Sequence, residues 1–284
     1  MIIANPIYDV AFKRLLENDR TAKFLIGTIL DCKVLSLEQK PVEQTKWDGE
    51  RLTLFRKDFS ATIKTKEGEK RVIIEMQKAK KLGDIGRFRE YLGSEYTTSR
   101  LPIIAIYILG FNLNVNSPAF MARPDCWDLM TKQKIDGNDR FVEHLTHNAY
   151  FVQTLQIKPA FNTRLEKLLA IFEQDRFIDN KTTTKLFPFD VKDKDIKEIL
   201  DVLQYAAADA ETRKELDLEN AYLKSVEEMF GEQHRKLEEQ AEMLKEQAAE
   251  LEKERKEKAQ KDEALAQQAA EIAELKRQLS EKKG

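Results

Sequence analysis

Apolar residues recur at helical spacing near the start of the chain. Val10, Phe12, Leu15, Leu16, Phe24, Leu25 and Ile29 predict a helix from Asp9 to Leu30, weakened at Gly27. A short strand is expected over residues 34–39. Residues 51–64 and 70–77 read as the two strands of a hairpin turning at Lys66-Glu67-Gly68. Asp84 is placed to cap a helix that runs to about Ser99 and that Pro102 ends. Ile103 to Leu109 is an unbroken apolar run, the pattern of a strand buried on both faces. Phe141 to Leu145 predicts a further helix, Tyr150 to Ile157 a strand, and Asn162 to Phe172 another helix. Lys181-Thr182-Thr183-Thr184-Lys185 reads as a polar linker and a candidate boundary, followed by helices over 195–208 and 210–230.

From Gly231 the pattern changes. The last 54 residues hold no Pro, Phe, Tyr or Trp, and 26 of them are charged. Leu237, Leu244, Leu251, Leu265, Ile272 and Leu279 fall on one seven-residue repeat, interrupted at Lys258. Ala241, Ala248 and Ala269 stand four residues on, while Arg255, Asp262 and Lys276 break that second row. The period is that of a coiled coil, and the same stripe also fits a single charged helix.

The hairpin carries the candidate chemistry. Its second strand is apolar and runs into Glu75-Met76-Gln77-Lys78, and Asp58 lies on the strand before it. A carboxylate in an apolar strand needs a proton, a metal or a partner. Facing residues of an antiparallel pair point to one side of the sheet. A two-residue turn at Lys66-Glu67 pairs residues whose numbers sum to 133, and Asp58 then faces Glu75. A turn at Glu67-Gly68 makes the sum 135, and Asp58 faces Gln77. In both registers Asp58, Glu75 and Gln77 share a face, and Lys78 points to the other. Two adjacent carboxylates repel unless a cation lies between them, and oxygen ligands suit Mg²⁺ or Mn²⁺. A solvated hairpin that happens to carry Asp and Glu is the plain alternative.

Asp, a loop and then Glu-x-Lys is the signature of the PD-(D/E)XK nucleases, and the chain resembles the branch described as PD-(D/E)XK family transposases, related to the recombination-promoting (Rpn) nucleases. The resemblance spans roughly residues 5–175. It rests on Asn5-Pro6-Ile7-Tyr8-Asp9-Val10-Ala11-Phe12-Lys13, Arg56-Lys57-Asp58-Phe59-Ser60, Ile74-Glu75-Met76-Gln77-Lys78-Ala79, Arg87-Phe88-Arg89-Glu90-Tyr91-Leu92 and Glu143-His144-Leu145-Thr146-His147-Asn148. Gln77 stands where the family-wide pattern has lysine, as is common in that branch. The resemblance implies a restriction-endonuclease-like α/β (α+β) core, a mixed sheet flanked by helices. It implies Asp58 and Glu75 as metal ligands, with the Met76 backbone carbonyl as a third. Gln77 is neutral and cannot act as a base, but it can orient a water. Arg87 and Tyr91 are spaced i,i+4 on the helix that borders the active site in related nucleases. They are read either as contacts to substrate or as a surface charge and a core ring. Lys78 is read as a phosphate or surface contact. Asp9 is either a third carboxylate or the N-cap of the first helix, and Glu17 is a further candidate for the third carboxylate.

Charge is uneven. Residues 1–110 carry 20 Lys/Arg against 15 Asp/Glu, and residues 111–230 carry 16 against 21, within a chain of net charge −2. The basic share sits with the candidate nuclease core, as phosphate binding favours. Cys32 and Cys126 give neither a disulfide framework nor zinc spacing. His144 and His147 lack a third zinc ligand nearby. No Gly-rich phosphate loop or Gly-x-Ser-x-Gly elbow is present, so ATP use and serine hydrolysis have no support. No signal peptide is recognisable and no apolar run spans a bilayer, so a reduced cytoplasmic setting is expected. These readings converge on a nuclease-like domain over 1–180, a helical segment over 181–230 and a coiled-coil tail over 231–284. The expected function is a Mg²⁺- or Mn²⁺-dependent DNA endonuclease of transposase or recombination type, dimeric through its tail. The alternative is an inactive nuclease-like module that binds DNA or protein.

Overall fold

Ile103–Leu109 is a strand buried along its whole length, and its alternation organises the molecule. Ile104, Ile106 and Ile108 point into a large core on one face of the sheet, while Ala105, Tyr107 and Leu109 point into a smaller core on the other. In the computed structural model, residues 1–39, 43–48, 51–56, 59–78, 84–135, 140–178 and 181–225 are described, with scattered helical positions between 228 and 255. Met1–Ser225 forms one compact unit, and Val226–Gly284 a second.

In chain order the strands are β1 (Ile2–Ala4), β2 (Ser36–Gln39), β3 (Glu43–Asp48), β4 (Arg51–Arg56), β5 (Phe59–Thr65), β6 (Gly68–Gln77), β7 (Ile103–Leu109), β8 (Ala119–Ala122), β9 (Cys126–Trp127), β10 (Lys134–Ile135), β11 (His147–Gln153), β12 (Phe177–Ile178) and β13 (Lys181–Leu186). The helices are α1 (Asp9–Glu17), α2 (Asp19–Ile29), α3 (Asp84–Thr98), α4 (Arg140–Leu145), α5 (Arg164–Phe172) and α6 (Lys194–Ala208). Residues 210–225 are also helical. The protein is thus mixed α/β. Its six-stranded sheet has the order β2-β5-β6-β7-β11-β8, with β6, β7 and β11 parallel and the outer pairings antiparallel.

Apolar residues of α1, α2, α5 and α6 build the large core against Val72, Ile74 and Met76 of β6. The smaller core lies under α3, through Phe88 and Leu92, and under the loop after β7, through Phe111 and Leu113. Gln153, fully buried, pins that loop. Its amide donates to the Val115 and Ser117 carbonyls at 2.9 and 2.7 Å and accepts from the Leu113 N–H. No helix among the described residues is long and apolar enough to cross a membrane.

Four expectations need correction. The first helix is two helices, because Asn18 leaves helical geometry and caps α2, its side chain accepting from the Arg20 and Thr21 N–H groups. Residues 51–56 pair with β3 rather than with β6, so only β5 completes the hairpin. The strand expected over 150–157 begins at His147, pairs in parallel with β7 and gives way to one 3₁₀ turn at Thr154–Gln156. Lys181 to Lys185, read as a linker, is strand β13, paired with β1 at the start of the chain. Its threonines alternate about that ladder, and Lys185 is fully buried, donating to the Glu173 carboxylate at 3.3 Å. The tail, including its heptad positions, lies largely outside the described residues.

Candidate functional site

The β5–β6 ladder runs from Thr65–Gly68 to Phe59–Ile74, and every pair sums to 133. This is the first of the two registers, with Lys66 and Glu67 as the turn. Gly68 makes the turn possible: its φ of 125° is backbone that a side chain would strain. Asp58 lies outside the described residues.

On β6 the side chains alternate. Met76 belongs to the large core, so what it can offer a ligand is its backbone carbonyl. Glu75 and Gln77 face the other way, in register with Tyr107 and Leu109 of β7. Both are buried, at 3% and 5% exposure. Burial first, and the Glu75 charge second, push the Tyr107 phenol up to about 12, so it stays protonated. Phe88 of α3 packs on Tyr107 with ring centroids 5.1 Å apart.

Helix α3 crosses this face with one stripe, Arg87, Tyr91 and Glu95, spaced four residues apart. Arg87 Nη2 donates to Gln77 Oε1 at 2.5 Å, so Arg87 is tied to the strand end. Tyr91 is buried. Glu95 is fully buried and receives Arg71 in a two-pronged pair, Nε to Oε2 at 2.6 Å and Nη2 to Oε1 at 3.1 Å. Sequence reasoning missed this pair. The available signal was Glu95 lying two turns along the stripe from Arg87, opposite an arginine at the start of an apolar strand.

Lys78 points to the opposite face, as strand parity requires. Its Nζ donates to the Tyr8 hydroxyl, stands 4.0 Å from the centre of the Tyr8 ring and lies 3.5 Å from Asn220 Oδ1. Tyr8 in turn donates to Asn220 Oδ1 at 2.7 Å. Asp9 is the first residue of α1 rather than its cap. Glu219 takes the capping role from the helix at 210–225, its carboxylate accepting from the Asp9 and Val10 N–H groups at 2.7 and 3.1 Å. The Asp9 carboxylate accepts instead from Lys13 at 2.5 Å. Glu17 sits at the surface beside Arg14. Burial raises the Glu219 carboxyl above its usual range.

At the far end of the sheet, Tyr96 and His147 share a 2.8 Å hydrogen bond through Nδ1. Burial lowers the His147 pKa and raises that of Tyr96, so it favours the neutral form of both, and the imidazole tautomer sets which of them donates. His147 borders a polar recess of about 330 Å³ shared with Lys70, Arg123, Asp125, Lys134 and Glu143. Among the described residues no three His, Cys, Asp or Glu side chains converge as a metal cluster. Glu75 is one hard, nearly buried oxygen donor, and the further donors expected are Asp58 and the Met76 carbonyl. In comparisons with family models, characterised proteins and solved structures, nothing matched the chain.

Proposed function

We propose that the chain is a metal-dependent DNA endonuclease of transposase or recombination type, with a restriction-endonuclease-like core. The observation that carries the reading is the pair Glu75 and Gln77, buried on one face at the end of β6, with the Arg87 cation fixed beside them. The same register continued one step beyond Phe59–Ile74 would set Asp58 against Glu75. Carboxylate and carbonyl oxygens fit Mg²⁺ or Mn²⁺. Asp58, Glu75 and the Met76 carbonyl would hold the ion, which when bound acidifies water and offsets charge on the phosphate. Glu75 is held in position by its strand neighbours, and the Gln77 amide orients the attacking water without taking its proton. The heptad tail would join two copies, so that two sites act on two strands.

The test is nicking of supercoiled plasmid DNA by the full chain. Wild-type protein with Mg²⁺ or Mn²⁺ should nick, and Glu75→Ala and Asp58→Ala should not, with unchanged melting curves. Wild-type protein that shifts DNA in a gel yet nicks with neither ion would overturn the enzyme in favour of a binding module.

A further inference from the structure

The loop between β7 and β8 leaves the sheet beside the end of β6 and is tied down along its length. The Gly110 N–H donates to the Gln77 carbonyl at 2.8 Å where the loop starts, and the Gln153 N–H donates to the Pro118 carbonyl at 2.8 Å where it ends. Between these points the buried Gln153 side chain accepts from the Leu113 N–H and donates to the Val115 and Ser117 carbonyls, and Gln156 Nε2 donates to the Val115 carbonyl as well, at 3.0 Å. Phe111 and Leu113 pack on the smaller core, on the face of the sheet that Glu75 and Gln77 share. Asn112, Asn114 and Asn116 take the alternate positions and are exposed. None of these three side chains has a hydrogen-bond partner among the described residues. The Ser117 hydroxyl, by contrast, is occupied by the Ala119 carbonyl at 2.8 Å.

No charged residue stands between Arg100 and Arg123, in a chain that is 35% charged. What the loop offers outward is therefore a row of neutral amides. A phosphate is charged and only accepts, so Lys and Arg serve it better. An amide both donates and accepts, as the edge of a base does. A loop already fixed by Gln153 is spared the cost of ordering when it binds. Its position suits the task. Asn112 is three residues beyond Leu109, the in-register neighbour of Gln77. At about 3.6 Å per residue and about 4.8 Å between strands, its Cα lies within about 16 Å of that of Gln77. At about 3.4 Å per base pair this is a reach of about five base pairs. We propose that the loop reads base edges in the DNA beside the cut, through Asn112, Asn114 and Asn116, and so sets where the enzyme acts. The choice of DNA as ligand rests on the nuclease reading; the fixed loop and its outward amides do not.

The experiment selects DNA duplexes from a randomised pool with the full chain in Ca²⁺, which takes the same oxygen ligands, and runs plasmid nicking in Mg²⁺ beside it. The wild type should enrich a short motif. The triple variant Asn112→Ala, Asn114→Ala, Asn116→Ala should bind that motif at least about tenfold more weakly, the worth of lost base contacts. Its affinity for random DNA and its salt dependence should match wild type, because no phosphate contact is removed. Its melting curve should also match, since the three side chains are exposed. A triple variant that enriches the same motif as strongly would overturn the proposal, and so would a wild type that binds DNA without preference. A fall in affinity for all sequences together with a shallower salt slope would overturn it too, in favour of sequence-blind backbone contacts. Should the triple variant unfold, Asn114→Lys decides in its place. It should blur the motif and steepen the salt slope by about one, the mark of one added phosphate contact, and an unchanged motif and slope would overturn the proposal. The two readings fail separately. A wild type that selects DNA but never nicks ends the nuclease and leaves the loop to be decided by its variants, whereas one that nicks with no change in the triple variant ends the loop proposal alone. A wild type that neither nicks nor captures DNA ends both.

Discussion

The Arg71–Glu95 pair should behave as a buried ion pair whose halves cost more alone than together. Arg71 is 7% exposed and Glu95 is fully buried, and the Ser60 hydroxyl adds a long 3.5 Å contact to the carboxylate. Truncating Arg71 to methionine leaves the carboxylate in an apolar interface. The cost of breaking such a pair from one side is about 3–5 kcal/mol. For a unit of about 225 residues, each kcal/mol moves the melting point by about 2–4 °C, so the single variant should melt roughly 6–20 °C lower. Glu95→Leu strands the guanidinium instead and should cost a similar amount. The double variant, Arg71→Met with Glu95→Leu, removes both charges and fills the space with apolar atoms. It should lie within about 1 kcal/mol of wild type, because the attraction within a buried pair does little more than offset its desolvation. Urea unfolding of the four proteins, with slopes compared for constancy, measures this directly. A double variant as unstable as the sum of the singles would refute the argument, and so would singles costing under about 0.5 kcal/mol, the scale of an exposed pair.

Gly110→Ala should destabilise by about 1–3 kcal/mol in thermal melts, since a Cβ there would overlap the Lys78 carbonyl while the Gly110 N–H holds the Gln77 carbonyl at 2.8 Å. The His147 pKa lies below its ordinary 6.5 in the fold, so the stability it contributes is present above that value and is lost as pH falls from 6.5 through the lowered pKa. Urea midpoints between about pH 7 and pH 5 should therefore fall less steeply in His147→Gln than in wild type. Glu219→Ala should cost about 0.5–2 kcal/mol through loss of the α1 cap, read by thermal melting. The full chain should sediment as a dimer at micromolar concentration and the chain cut after Glu228 as a monomer; a monomeric full chain would end the coiled-coil proposal.

What was legible in the sequence is what depends on local pattern. Ile103 to Leu109 reads as a strand buried on both faces and is one, and the two hairpin registers differ by a single turn choice that Thr65–Gly68 pairing resolves. Both registers put Glu75 and Gln77 on one face, and that is where they lie. One failure is local and two are not. Asn18 breaks a continuous apolar stripe because its side chain binds the next helix's N–H groups, a choice the periodicity of Val10 to Ile29 does not reveal. Lys181-Thr182-Thr183-Thr184-Lys185 looks like a linker because its partners lie more than a hundred residues away, the Thr182 hydroxyl meeting Tyr8 and the Thr183 carbonyl accepting from the Asn5 N–H. The α1 cap comes from Glu219, some two hundred residues downstream of the helix it closes. Proximity of that kind leaves no spacing to read.

The end of β6 is where the two layers of the fold take hold of neighbouring residues. Gln77 is bound through its side chain to α3 and through its carbonyl to Gly110, both parts of the smaller-core side or its strand. Lys78, one residue on, belongs to the other layer, held by Tyr8 at the entry to α1 and lying near Asn220 on the helix at 210–225. The consequence separates two kinds of damage. Loss of Glu219 and Asn220 removes the cap of α1 and partners of Lys78, but it leaves the Arg87–Gln77 contact, which α3 alone supplies. Shortening the chain into 210–225 therefore acts on stability before it acts on the arrangement of Glu75 and Gln77, whereas a change at Arg71 or Glu95 shifts the helix that positions Arg87. Activity normalised to folded protein should fall in the second case and hold in the first.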